Sequence, residues 1–487
     1  MAGIGFELKR LFRRKGIFAG AYAYGYASVI CCGPMILGIV LLLGVGFLAR
    51  ASGASLHTRE LLNGMITTTL LAGLTVSSFL SLLVTRYLAD MLFENKNERV
   101  MPAFWGSVSL LLAPGCLLYG IFLCFAGIPW LYCVECFVLF GEIVVVWTEI
   151  SFLTAVKDYK CIMTAFAAAL AAGLLLGGVL VLWLALPVIP SLMAAMIVSY
   201  GVMLLWYLLA LLDYFPQSEG SALAFLAWAD KYPTLAWNGL FTNMGLFAHL
   251  VLMWVGPQGQ RIQGLFFFQP DYDLGAVFGF LTILITTVNF VVSVEVNFYP
   301  RYRDYYALYN DRGTILDIDV ACEDMCSTLS RELLYAAVRQ AFMTFLALVF
   351  GSVLLKSYPL GFTDRSLGIF RVLCIGYGLY AIANMFMLAL LYFSDNTGAF
   401  IASAVFFAAT VGGTLASFAL PDYLYGAGFA FGCLCFLLVA WGRLEYIVHT
   451  LEYHLLCVQP LVAQEHGGFF TRLSRALDRT KQEKTGE

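Results

Sequence analysis

The chain has 487 residues, 61% of them hydrophobic and only 12% charged, with a mean hydropathy of +0.84 and a formal net charge of −3. A soluble domain carries about twice that charge fraction, which excludes a water-exposed globular fold and leaves the placement of charges as the informative quantity. Most of the 13 cysteines, among them Cys31, Cys32, Cys116, Cys124, Cys374, Cys433 and Cys435, lie inside apolar runs and read as small hydrophobes. Cys133/Cys136 and Cys322/Cys326 lack a redox or zinc context, so neither a metal nor a cofactor is expected.

In chain order, residues 1–18 come first, a basic segment containing GIGFELKRLF. Its Ile4, Leu8, Leu11 and Phe12 share one helical face beside Lys9, Arg10, Arg13, Arg14 and Lys15, the pattern of a helix lying on an anionic membrane surface. About thirty apolar residues follow, too many for the core of a cleaved signal. Twelve runs are long enough to span a bilayer: 19–48, 60–85, 102–126, 129–153, 161–185, 190–212, 233–256, 274–298, 336–358, 367–393, 398–420 and 423–447. All should be helical, since lipid satisfies no open backbone. The expected fold class is therefore an all-α polytopic membrane protein of about twelve transmembrane helices.

The polar stretch 213–232 leaves six spans on each side, so two six-helix lobes are expected at 19–212 and 233–456, with a tail at 457–487. Paired lobes around a midplane cavity are a common transporter plan. With both termini inside, 22 of the 28 Lys and Arg residues fall on cytoplasmic segments, as the positive-inside rule requires. The segment 299–340 is expected to be cytoplasmic. It carries an apolar stripe of Ile315, Ile318, Cys322, Met325, Leu329 and Leu333, and Thr314 and Asp317 stand at capping-box spacing. It reads as an interfacial helix leading into the ninth span, or as a docking surface for a cytoplasmic partner.

The fourth span holds the candidate site. In ECFVLFGEIVVVWTE, Glu135, Glu142 and Glu149 recur every seven residues, so they fall on one helical face with a drift of about 20° per repeat. An ionised group at the helix centre costs about 2.5–3.5 kcal/mol on insertion scales, so that face must meet protein or a water-filled path. Glu142 is the strongest candidate for a substrate pathway. Glu135 and Glu149 could instead sit at the membrane surfaces, and a packing role for all three is the alternative. Other polar groups at membrane depth are Arg371 (a candidate partner for Glu135), Glu295 and Asn289 with Asn297 beyond, Asn238, Asn243, His249 and Asn384. His249 reads as a packing residue. Tyr22, Tyr24 and Tyr26 near the start of the first span suit an aromatic belt or, less simply, a sugar path. No P-loop, G-x-S-x-G or H-E-x-x-H motif occurs, so no catalytic residues are assigned.

The opening MAGIGFELKRLF followed by YGYASVICCGPM, together with NFYPRYRDYY after the eighth span and LEYH near the last, resembles the Pel exopolysaccharide transporter (PelG) family. That family is a twelve-span branch of the multidrug/oligosaccharidyl-lipid/polysaccharide flippase superfamily. The resemblance covers essentially the whole chain and implies two six-helix bundles around a central cavity. It further implies a bacterial inner-membrane location and export of an N-acetylgalactosamine-rich amino-sugar polymer during biofilm matrix synthesis. The partners it implies are a cytoplasmic glycosyltransferase and a cyclic-di-GMP-sensing membrane protein, besides membrane lipids, with no nucleic acid. It transfers no site residues. The expectation is thus a non-enzymatic exporter. Rivals are a lipid-linked oligosaccharide flippase or ion-coupled drug antiporter of the same fold, a polytopic enzyme acting on lipid-linked sugar, and a scaffold for the synthase.

Overall fold

The computed structural model describes residues 19–156, 158–310, 313–357, 362–451, 453, 468–474 and 476; the side chains of 19–26, 29–32, 34–35 and 309–310 lie outside that description. The expected basic helix of 1–18 is therefore also outside it.

The described elements are helices with one small hairpin. They run α1 (Ala19–Ala51), α2 (Leu56–Phe93), α3 (Val100–Phe125), α4 (Trp130–Val156), α5 (Tyr159–Gly178), α6 (Val188–Tyr214), α7 (Leu226–Lys231) and α8 (Pro233–Val255). Strands β1 (Gln260–Gln263) and β2 (Phe266–Phe268) follow. Then come α9 (Pro270–Leu281), α10 (Leu284–Ser293), α11 (Tyr299–Asn310), α12 (Ile315–Leu346), α13 (Ser352–Ser357), α14 (Asp364–Tyr392), α15 (Asn396–Ser417) and α16 (Ala427–His449). Among the described residues eleven helical stretches are long and apolar enough to cross a membrane, and the 33-residue α1 covers the first span read from the sequence. The chain is an all-α polytopic membrane protein.

Local chemistry sets many helix starts. Ser55 accepts from the Thr58 N–H, Asp158 from Cys161 and Asp395 from Gly398, each satisfying an otherwise orphaned donor. The Thr314/Asp317 capping box forms as its spacing predicts. Span eight, however, does not end at residue 298. A π-helical turn at Val294–Phe298 joins α10 to α11, and the span, which begins with α9 and turns at Thr282–Ile283, continues to Leu308. Likewise α12 runs through a π turn into α13, giving one stretch from Ile315 to Ser357. Met325, Leu329 and Leu333 of the expected interfacial stripe are buried in protein, because α12 packs on α11 and α14.

The chain divides into two compact units. The first comprises Pro34–Phe247, Gln258–Phe268 and Pro460–Glu487, and the second Met1–Gly33, Ala248–Pro257 and Gln269–Gln459, each taken over its described residues. In the first, α4 is central, packed against α2, α3 and α6, with α5 against α6. In the second, α16 packs on α14 and α15, and α9 on α14. The α15–α16 seam is close enough that a Cβ at Gly428 would lie 2.2 Å from the Gly413 carbonyl carbon. Small residues permit such backbone approach where no hydrophobic force drives helices together in lipid.

The hairpin lies in the loop between the seventh and eighth spans. Gln260 pairs with Phe268 and Arg261 with Phe267, and the turn docks on the first unit. The Leu265 N–H donates to the Ala126 carbonyl at 3.0 Å, while buried Phe266 meets Phe122 edge-on. Gly264 has φ +58°, and a Cβ there would stand 1.7 Å from the Ala126 oxygen.

Candidate functional site: a carboxylate stripe on α4

All three glutamates lie on the 27-residue α4, where Val, Ile, Leu and Phe supply the packing and the heptad spacing keeps the acids aligned. Glu149 is fully buried, and neither of its carboxylate oxygens has a hydrogen-bond partner. Glu135 and Glu142 are half-buried, each with a buried, unpartnered Oε2. Among the described residues none of the three makes an ion pair.

Neighbouring polar groups are committed elsewhere. Tyr207 of α6 is within electrostatic reach of Glu149, yet its hydroxyl donates to the Ile162 carbonyl at 3.0 Å. The Thr148 hydroxyl donates back to Val144 at 2.8 Å. Glu142 faces α6 at Gly201, where an added Cβ would lie 3.4 Å from Oε1. Thus Glu142 faces α6 at residue 201, on the helix against which α4 packs. On the same helix Val202, Leu205, Trp206, Leu209, Ala210 and Asp213 line a groove of about 540 Å³. Burying acids without partners is costly, so this stripe is poised to take hydrogen-bond donors, cations or protons.

The remaining candidates stand on other elements. Asn243 is half-buried on α8 in the first unit. On the same helix Asn238 is fully buried, and its carbonyl accepts from Thr242 at 2.8 Å. Arg371, considered as a partner for Glu135, is exposed in the second unit and donates to Ser352 Oγ at 3.3 Å. Asn289 turns back to its own helix, donating to the Ile285 carbonyl at 3.0 Å. Glu295 is buried in the π turn of span eight. The side chain of Tyr26 lies outside the described residues. His249 is a core residue: it is fully buried, bonded to the Tyr272 hydroxyl at 2.6 Å and stacked on Phe429 at 4.0 Å.

A second polar cluster carries a residue that sequence reasoning missed. Glu332 of α12 is buried and accepts from Ser293 Oγ and, at 3.1 Å, from Asn297 Nδ2. Its signal was position: one residue before Leu333, it falls on the buried side of the 325–329–333 stripe. π turns such as the one at Val294–Phe298 recur at functional sites.

Several solved structures share this fold. A structure described as MATE in the bent conformation aligns with 14% identity over 93% of this chain and 99% of its own, at a TM-score of 0.59. The Vibrio cholerae MATE transporter VcmN in the bent form gives 12% identity, 93% and 99% coverage and a TM-score of 0.60. The eukaryotic MATE transporter AtDTX14 gives 11%, 88% and 95%, and 0.57. The protein therefore has the fold of the MATE transporters. No curated protein matches it. Residues 1–456 match the family model described as "PelG: Putative exopolysaccharide Exporter (EPS-E)". The chain belongs to this family of exopolysaccharide exporters.

Proposed function

We propose that the protein exports an amino-sugar polymer across a bacterial inner membrane, with both termini cytoplasmic, and that the α4 stripe lines its path. The observation carrying this reading is the row of three carboxylates, each with a buried oxygen that finds no partner among the described residues and one of them fully buried, in a chain of an exporter family. Along such a row, sugar hydroxyl and amide groups replace one another as donors, and no single site holds the polymer tightly. The other candidates, Arg371, Glu295, Asn289, Asn243 and Tyr26, extend the path in this reading. Transport chemistry makes and breaks no covalent bond, which accords with the absence of catalytic motifs. A cytoplasmic glycosyltransferase supplies the polymer, and a cyclic-di-GMP-sensing membrane protein belongs to the same assembly. The two-lobe division at 213–232 is part of the proposal.

Substituting Glu142→Gln tests it, with secreted polymer and membrane protein level measured together. Polymer should fall at least about tenfold at a normal protein level; undiminished export would make the stripe helix packing. The MATE-type fold favours one alternative, an ion-coupled antiporter. That reading requires transport by the protein alone in vesicles under an ion gradient, whereas the polymer exporter should depend on the synthase.

A further inference from the structure

We infer that a ladder of tyrosines on α11 is a binding track for the pyranose rings of the exported polymer. The inference rests on the exporter reading above and adds where the sugar chain is held.

The sequence YPRYRDYY places Tyr299, Tyr302 and Tyr306 at i, i+3 and i+7, one flank of a helix. Their rings follow one another: Tyr299 and Tyr302 stack at 6.5 Å and 22°, and Tyr302 and Tyr306 lie 4.6 Å apart at 44°. The middle ring is pinned, since its hydroxyl donates to the Tyr392 carbonyl at 3.2 Å and its edge meets the Tyr392 ring. Seven residues of helix cover about 10 Å, the length of a short oligosaccharide rather than of one ring.

Packing covers these three rings only in part. The buried side here is filled by Phe298, the last residue of the π turn, and Tyr305 of α11, each 1% exposed, whereas Tyr299, Tyr302 and Tyr306 are half-buried along the edge. On the exposed side stand Arg303 and Asp304, each with 66% of its side chain accessible and only loosely paired at 3.4 Å. A pyranose presents a flat face of C–H groups and a rim of hydroxyl and acetamido groups. Fixed aromatic faces bury the first at little entropic cost, tyrosine having only two side-chain torsions. A guanidinium on the adjoining flank, that of Arg303 four residues after Tyr299, bonds the second. Repetition along a helix flank suits a polymer that advances, because each ring offers the same face.

The test uses the full chain in lipid nanodiscs with an N-acetylgalactosamine tetrasaccharide as probe, and secreted polymer from cells carrying each variant. Tyr299→Leu and Tyr306→Leu keep apolar bulk but lose the flat face. Each should weaken probe binding about tenfold and lower secretion at normal membrane level, while Tyr306→Phe and Tyr306→Trp behave as wild type. No probe binding by the wild type, wild-type behaviour of the leucine variants, or Phe failing as badly as Leu would each overturn the track. Should the leucine variants not accumulate, the exposed Arg303→Ala carries the test: binding several-fold weaker supports it, and unchanged binding overturns it. Cells lacking the protein that still secrete polymer would refute the exporter reading instead, whatever the probe shows.

Discussion

Glu149 is where function and stability should part. The midpoint of Trp130–Val156 is residue 143, so Glu149 lies six residues beyond it, about 9 Å along the axis and within the roughly 15 Å half-thickness of the hydrocarbon core. It is fully buried and its oxygens have no protein partner, so nothing in the described structure offsets its desolvation. An ionised side chain at the helix centre costs about 2.5–3.5 kcal/mol, and leucine gains about 0.5 kcal/mol on the same scale. Scaled down for depth and for relief by protonation, Glu149→Leu should stabilise the protein by about 2 kcal/mol. Glu149→Gln, of nearly the same shape, should give about 1 kcal/mol. Both should lower export, the pattern expected when a strained site is kept for activity. Reversible SDS unfolding of purified protein, read by far-UV circular dichroism, measures the first quantity, and secreted polymer measures the second. Destabilisation by 1 kcal/mol or more in Glu149→Leu would refute the reasoning, since it would mean that the carboxylate holds helices together.

Three further predictions concern the scaffold. Asp395 accepts from Arg443 at 2.6 and 3.2 Å and caps α15 through the Gly398 N–H. Asp395→Asn keeps the cap and should cost about 1–2 kcal/mol, whereas Asp395→Ala loses cap and charged bonds and should cost about 2–4 kcal/mol; equal losses in SDS unfolding would contradict that division. Gly264→Val forces a side chain into a left-handed turn against the Ala126 carbonyl and should lower the melting temperature sharply. Gly46→Ala, where an added methyl meets nothing within 4 Å, should not. Asp230 accepts from the Phe470 and Thr471 N–H groups and the Thr471 hydroxyl, so Asp230→Ala should free this segment. Maleimide labelling of Ser474→Cys, at a position 6% exposed, should then accelerate several-fold, and an unchanged rate would show that the cap does not hold it.

The span count and the acidic stripe were legible in the sequence, because both depend on local periodicity. A bilayer demands about twenty apolar residues per crossing, and α4 inherits its alignment of acids from the heptad alone. The capping box at Thr314 was legible for the same reason: its donors and acceptors lie three residues apart. Partnership was not legible. Glu142, Glu149 and Glu332 are all buried or half-buried acids, yet only Glu332 meets Ser293 and Asn297, residues more than thirty positions away. Arg371, a candidate partner for Glu135 by sequence position, donates to Ser352, a bond that the sequence does not announce. The hairpin at Gln260–Phe268 has too short an alternation to register, and it is held by Ala126 and Phe122 from the distant α3 region. Sequence by itself determined which long segments are apolar helices and which polar groups lie within them, since solvent and helix period impose both. Tertiary structure alone decided which of those groups are satisfied, because a hydrogen bond needs its partner within about 3 Å, and only packing brings distant helices that close.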